Sequence, residues 1–182
     1  GQGEHVVDGL EDESVNAVIG LDWTTDKAKV NVDAYVTRDK REGGSPAMVS
    51  FATLGKVLDA PDGKNNYFPN LEGQQEAKYI GVSGEYKLLD NLKVIAGVGT
   101  AEQEYNGHIF GTRMVITNEA GNANSQYYNV NMKQHNTAAN VGLESTFNTG
   151  VMSHKIGLRA DYLKNEKDAQ AGQGTKPISF TT

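Results

Sequence analysis

The sequence predicts an all-β chain, an antiparallel meander of long hairpins that forms part of a transmembrane β-barrel wall. Three observations predict it. Apolar and polar residues alternate with period two over stretches of ten residues or more, the pattern of a strand whose side chains point to opposite faces in turn. The connections between these stretches run short, long, short, long, short. The polar face also mixes full charges with glycine, which a wet lumen tolerates.

The first hairpin comes from "SVNAVIGLDW" and "AKVNVDAYVTRD". Val15, Ala17, Ile19, Leu21 and Trp23 alternate with polar or small residues, as do Val30, Val32, Ala34 and Val36, and "TTDK" makes the turn. From about Lys40 to Gln75 the alternation stops. Pro61-Asp62-Gly63 there has turn chemistry, because Pro pre-sets φ and Asp bonds its own backbone. So long a connection is uncommon in a compact soluble domain. The second hairpin, "AKYIGVSGEYKLL" and "LKVIAGVGTAEQEY", turns at "DN". A second polar excursion, roughly Asn106 to Gln126, precedes a long strand with Ala139, Val141, Leu143 and Phe147 on one face. "NTG" turns that strand into "VMSHKIGLRADYL", where Met152, His154, Ile156, Leu158, Ala160 and Tyr162 oppose Ser153, Lys155, Gly157, Arg159 and Asp161. "NEKDAQAGQGTK" reads as a polar tail.

Composition narrows the function. The 182 residues suffice for one sizeable domain. Hydrophobic residues reach 37 %, and the mean hydropathy of -0.53 looks soluble. Transmembrane barrels hide inside such averages, because only alternate residues meet lipid. The net charge of -6 and the lack of a basic stripe argue against nucleic acid as a partner. Without Cys there is neither a disulfide framework nor a thiolate metal site. No apolar run approaches the ~20 residues of a membrane-spanning helix. The chain shows no signal peptide and reads as a single segment, 1–182, cut from something longer.

A sheet with one apolar face has two common homes, a soluble core with a wet outer face or a barrel wall with lipid outside. Strand length, the loop alternation and the charged, glycine-rich polar face favour the wall. Trp23, Tyr86, Phe147 and Tyr162 lie near strand ends, as girdle aromatics would. Two other readings remain open from the residues alone. One is a soluble β-sandwich or small-barrel binding module, for example for carbohydrate. The other is a surface or structural β protein.

"LESTFNTGVMSHKIGLRADY" resembles the barrel of TonB-dependent outer-membrane siderophore receptors, where a strand ends in a Phe-x-Thr-Gly turn and a His soon opens the next strand. Phe147, Thr149, Gly150, His154 and Tyr162 carry that pattern here. "GEYKLLDNLKVIAGVG" and "VIGLDWTTDKAKVNVDAYVTRDKREGGSP" are similar to two earlier hairpins of the same family, in the same order. The resemblance implies an interior piece of a barrel of about 22 strands, without the plug domain or the box that binds the energising partner. It implies a bacterial outer-membrane location, contact with outer-membrane lipid, a ferric siderophore as transported ligand rather than a resident cofactor, and the TonB complex as partner of the full-length protein.

No catalytic set is legible, and the chain is read as a non-enzyme. "GVGTAEQ" lacks the third Gly and the helix of a phosphate cradle. "DAPDGKNN" misses the Ca²⁺ loop pattern. No two of His5, His108, His135 and His154 have a zinc-type spacing, so no metal site is expected. The ligand-binding candidates lie in or beside the long loops: Tyr67, Phe68, Tyr105, Phe110, Arg113, Tyr127 and Tyr128. Aromatics supply rigid contact area and Arg supplies charge-assisted hydrogen bonds to an anion. Ordinary loop packing is the competing role for each.

Overall fold

A computed structural model describes residues 2–4, 6–108 and 112–180. Among these there is no helix, and so none long and apolar enough to cross a membrane. Among the described residues nine strands form one curled sheet. They are β1 (Gln2–Glu4), β2 (Glu11–Thr24), β3 (Ala28–Glu42), β4 (Met48–Ser50), β5 (Gly73–Leu89), β6 (Leu92–Gly107), β7 (Arg113–Ile116), β8 (Asn122–Thr149) and β9 (Met152–Ser179). The wall is the antiparallel meander β2-β3-β5-β6-β8-β9.

Each short connection has its own local chemistry. Between β2 and β3, the Thr25 hydroxyl accepts from the backbone N–H of Lys27 and of Ala28, and Thr25 N–H donates to Ala28 O. Asp90-Asn91 joins β5 to β6 beside an irregularity in register at Lys87 to Leu89. Gly150 sits at φ 61° in the turn between β8 and β9, where a Cβ would be strained. Phe147 stacks on His154 there, with centroids 5.1 Å apart, and Thr149 Oγ1 meets His154 Nε2.

One expectation needs correction. The stretch read as a polar tail continues β9 to Ser179, paired with β8 along its whole length. Pairing satisfies the backbone whatever the side chains are, so an unpatterned polar sequence still forms strand here. The meander also holds one exception, the parallel pair β4–β7.

The register aligns the apolar residues into rows that cross all six wall strands. One row runs Leu21, Val32, Val82, Val98, Ala139, Tyr162, and the next Trp23, Val30, Gly84, Ala96, Val141, Ala160. These side chains are not a core. Leu21 is 63 % and Leu158 72 % exposed, with Ile19, Ile80, Val98, Val141 and Ile156 exposed beside them. Above the belt the same face turns charged, through Lys78, Glu102, His135 and Glu166 in one row and Arg38, Glu76, Glu104, Lys133 and Asp168 in the next. Trp23, Tyr86 and Phe147 lie toward the short turns. Tyr162 is the last apolar residue on β9 before Lys164, at the opposite boundary. The buried apolar side chains lie elsewhere, at the long-loop end: Leu10, Phe68, Met114, Ile116, Ala123 and Phe180.

Candidate functional site

The long-loop end is built from both long connections and the far ends of β8 and β9. The first connection leaves β3 through Gly43 and Gly44, at φ 76° and 156°. Both must be glycine. A Cβ on Gly43 would strike the Gly9 carbonyl, and one on Gly44 would sit 2.7 Å from the Asn66 amide oxygen. That amide is a clamp. Asn66 Nδ2 donates to the carbonyls of Asp8 and Gly43, each at 2.9 Å, and Oδ1 accepts from Phe68 N–H at 3.2 Å. The Pro61-Asp62-Gly63 turn forms as expected, with Asp62 Oδ1 accepting from Lys64 N–H at 3.0 Å.

The second connection carries β7, which pairs with β8 through Arg113↔Gln126 to Ile116↔Ala123 and with β4 in parallel through Met48↔Arg113 to Ser50↔Val115. Ser45 and Thr112, both buried, face each other at 3.0 Å between their hydroxyls. Beneath these strands Met114, Ile116, Ala123 and Phe180 make a small core, with Phe51, Leu54, Leu58, Tyr67 and Ile178 packed on it. Phe180 meets Phe51 edge-on at 5.6 Å and stacks with Tyr67 at 6.1 Å.

The candidate residues do not converge on one point. Tyr67 is half-buried against this core, and its hydroxyl accepts from Asn65 Nδ2 at 3.3 Å. Phe68 is buried at 5 % exposure. Arg113 is exposed on β7. Tyr127 lies edge-on to His108 at 5.6 Å and covers Gly174, where a Cβ would not fit. Tyr105 and Tyr128 are half-buried, and by strand alternation both lie on the polar face. Phe110 is outside the described residues. The core residues Met114, Ile116 and Phe180 escaped sequence reasoning. Their one signal is the short Met-Val-Ile and Ile-Ser-Phe alternation inside otherwise polar stretches.

The polar face carries a ladder of ions near the short turns. Lys29 meets Glu85 at 3.7 Å, Glu85 meets Lys93 at 2.9 Å, Lys93 meets Glu144 at 3.4 Å, and Glu144 meets Lys155 at 2.9 Å. Five strands are crossed by one alternation of sign. Higher on that face Tyr35 stacks on Tyr79 at 5.4 Å, and the Tyr79 ring lies over Gly81 and Gly99. Among the described residues no group of three His, Cys, Asp or Glu side chains could hold a metal ion.

No family model matches the chain. No curated protein matches it either. Solved structures do. The ferric preacinetobactin receptor BauA from Acinetobacter baumannii is 27 % identical, with a TM-score of 0.73, over 94 % of this chain and 25 % of that receptor. FpvA of P. aeruginosa, solved with heterologous pyoverdines, is 12 % identical with a TM-score of 0.74, over 93 % of this chain and 23 % of that one. The FpvAI–pyocin S2 complex gives a TM-score of 0.68 at 13 % identity. These are TonB-dependent siderophore receptors of the outer membrane. The chain has the fold of their wall and spans about a quarter of their length.

Proposed function

We propose that the chain is a section of the barrel wall of an outer-membrane receptor that imports ferric siderophores by TonB-dependent active transport. The match to a ferric siderophore receptor over 94 % of the chain carries this reading. The belt supports it on independent grounds. From Thr137 to Phe147 on β8 the apolar face extends ten residues, about 34 Å along the strand. At the ~40° tilt of barrel strands that is about 26 Å of height, against a lipid-facing band of about 25 Å. The exposed apolar residues then meet hydrocarbon, and the ion ladder lines the interior.

In this reading the long loops face outward and hold the ligand. Tyr67, Tyr105, Arg113, Tyr127 and Tyr128 offer surface to an anionic chelate, with Phe110 a further candidate by residue type, and Phe68 holds the loop that presents Tyr67. A plug domain and its box, elsewhere in the full-length protein, would pass energy from the TonB complex. The test is to titrate the full-length protein in detergent with a broad panel of ferric siderophores. Saturable binding by at least one member is expected, weakened by Arg113→Ala. Silence across the whole panel overturns the ligand class.

A further inference from the structure

The loop end contains an open cavity of about 420 Å³, walled by Pro46, Val49, Phe51, Leu58, Tyr67 and Phe180. A cleft of roughly 300–1,000 Å³ with apolar walls and a few placed polar groups is what small molecules occupy. The walls are fixed before any ligand arrives. Leu54 and Gly55 N–H both donate to Phe51 O at 3.0 Å, and Asn65 N–H donates to Asp62 O at 3.1 Å. The Asn66 clamp holds the adjoining loop. A preformed wall spares a ligand most of the ordering cost. Val57, which also lines the cavity, is 78 % exposed, so an apolar occupant takes it out of water.

Register separates this cavity from the polar face. Val49 pairs with Met114 and Met114 with Ser125, while Arg113 pairs with Gln126. Paired residues share a face and consecutive ones do not. Val49 and Met114 therefore lie on one face of the sheet, and Arg113 lies on the other with Tyr128. Nor does a bilayer cover the cavity on the barrel-wall reading. Ala123, which packs with Phe180, is twelve residues beyond His135 on β8, about 40 Å along the strand and about 30 Å in height. A headgroup layer takes roughly 5–8 Å.

The polar groups restrict what the cavity takes. Among the described residues that line it, only Asp62 is charged. Lys56 on the same connection is paired with Glu119 at 2.6 Å, and Asp59 and Lys64, on either side of Asp62 in the chain, offset each other. A carboxylate ligand meets Asp62 as a like charge, and an ammonium meets it as a partner. The Tyr67 hydroxyl accepts from Asn65 Nδ2 at 3.3 Å, and a phenol that accepts can still donate. A cavity of about 150 Å³ holds one benzene, so this volume suits roughly two or three rings. Phe51, Tyr67 and Phe180 offer them edges and faces.

We propose that this cavity is a binding site for a small aromatic amine, its rings against Phe51, Tyr67 and Phe180 and its protonated nitrogen toward Asp62. This is a second ligand, separate from the anionic chelate, and its test uses no iron, so a silent siderophore panel leaves it standing. Full-length protein in mild non-ionic detergent is titrated by calorimetry with 1-naphthylmethylamine and, separately, with 1-naphthylacetate, which has the same rings and the opposite charge. Empty micelles are the blank. Wild type binds the amine saturably, about tenfold more tightly than the acid. Asp62→Asn keeps the turn, because Asn also bonds the backbone two residues on, and closes that gap to within about twofold. Ala60→Trp and Gly63→Leu put bulk into the cavity from exposed positions, and a Cβ on Gly63 meets nothing within 4 Å. Each lowers affinity for the amine about tenfold. No saturable heat with the amine, equal affinity of wild type for amine and acid, or full amine affinity in both filled variants overturns the proposal. A cavity already filled by another part of the full-length chain gives the first of these results.

Discussion

The belt of the wall and the long-loop end use the same residue types in opposite ways. In the belt, Ile19, Leu21, Val98 and Leu158 are exposed. At the loop end, Met114, Ile116, Ala123 and Phe180 are sealed from solvent. The loop end is held by the hydrophobic effect, which needs water around it. In the proposed membrane setting the belt draws little from apolar contact between its own side chains, because lipid tails are as apolar as leucine. Its cohesion comes from backbone pairing, which every strand in hydrocarbon must complete. On the proposed reading one chain solves two solvent problems, and the boundary is the row where Thr137 gives way to His135.

Substitutions sharpen this contrast. The largest effect is expected from Ile116→Ala, which should cost the loop end about 2–5 kcal/mol through lost transfer energy and a cavity. Hydrogen exchange at the β7–β8 amides would read it, while belt amides keep their protection. Slow exchange preserved at β7 would break the distinction. Next comes Val98→Arg in the middle of the belt, expected to cost about 2–4 kcal/mol when the full-length protein folds into lipid vesicles. A urea titration that places this variant with wild type would mean that the face does not meet hydrocarbon. The smallest effect belongs to Leu158→Ala, which loses transfer energy to lipid but leaves no cavity because lipid tails fill the space, and should cost about 1–2 kcal/mol. A loss the size of the Ile116→Ala effect in the same titration would instead make the belt a buried core.

What the sequence showed follows the same division. The belt was legible because a sheet with one apolar and one polar face imposes strict alternation, and Val30, Val32, Ala34 and Val36 display it without interruption. The turns at Asp62 and Gly150 were legible because their backbone chemistry is local. The long polar part of β9 was not. Lys164 to Lys176 pairs with β8 beyond the belt, where neither face needs to be apolar and no period is imposed. The loop end was hidden for another reason. Its core is assembled from Phe51, Met114 and Phe180, which are far apart in the chain and meet only through tertiary packing. The candidate residues share only residue type and a place in or beside the loops, and the structure distributes those it describes between that core, the polar face and open surface.

The parallel pairing of β4 with β7 has a mechanical consequence. Three residue pairs and the Ser45–Thr112 hydroxyl contact tie the first long connection to the second. Neither can swing away alone without tearing that seam. In the proposed receptor, a ligand that displaced either connection would therefore have to carry the other with it.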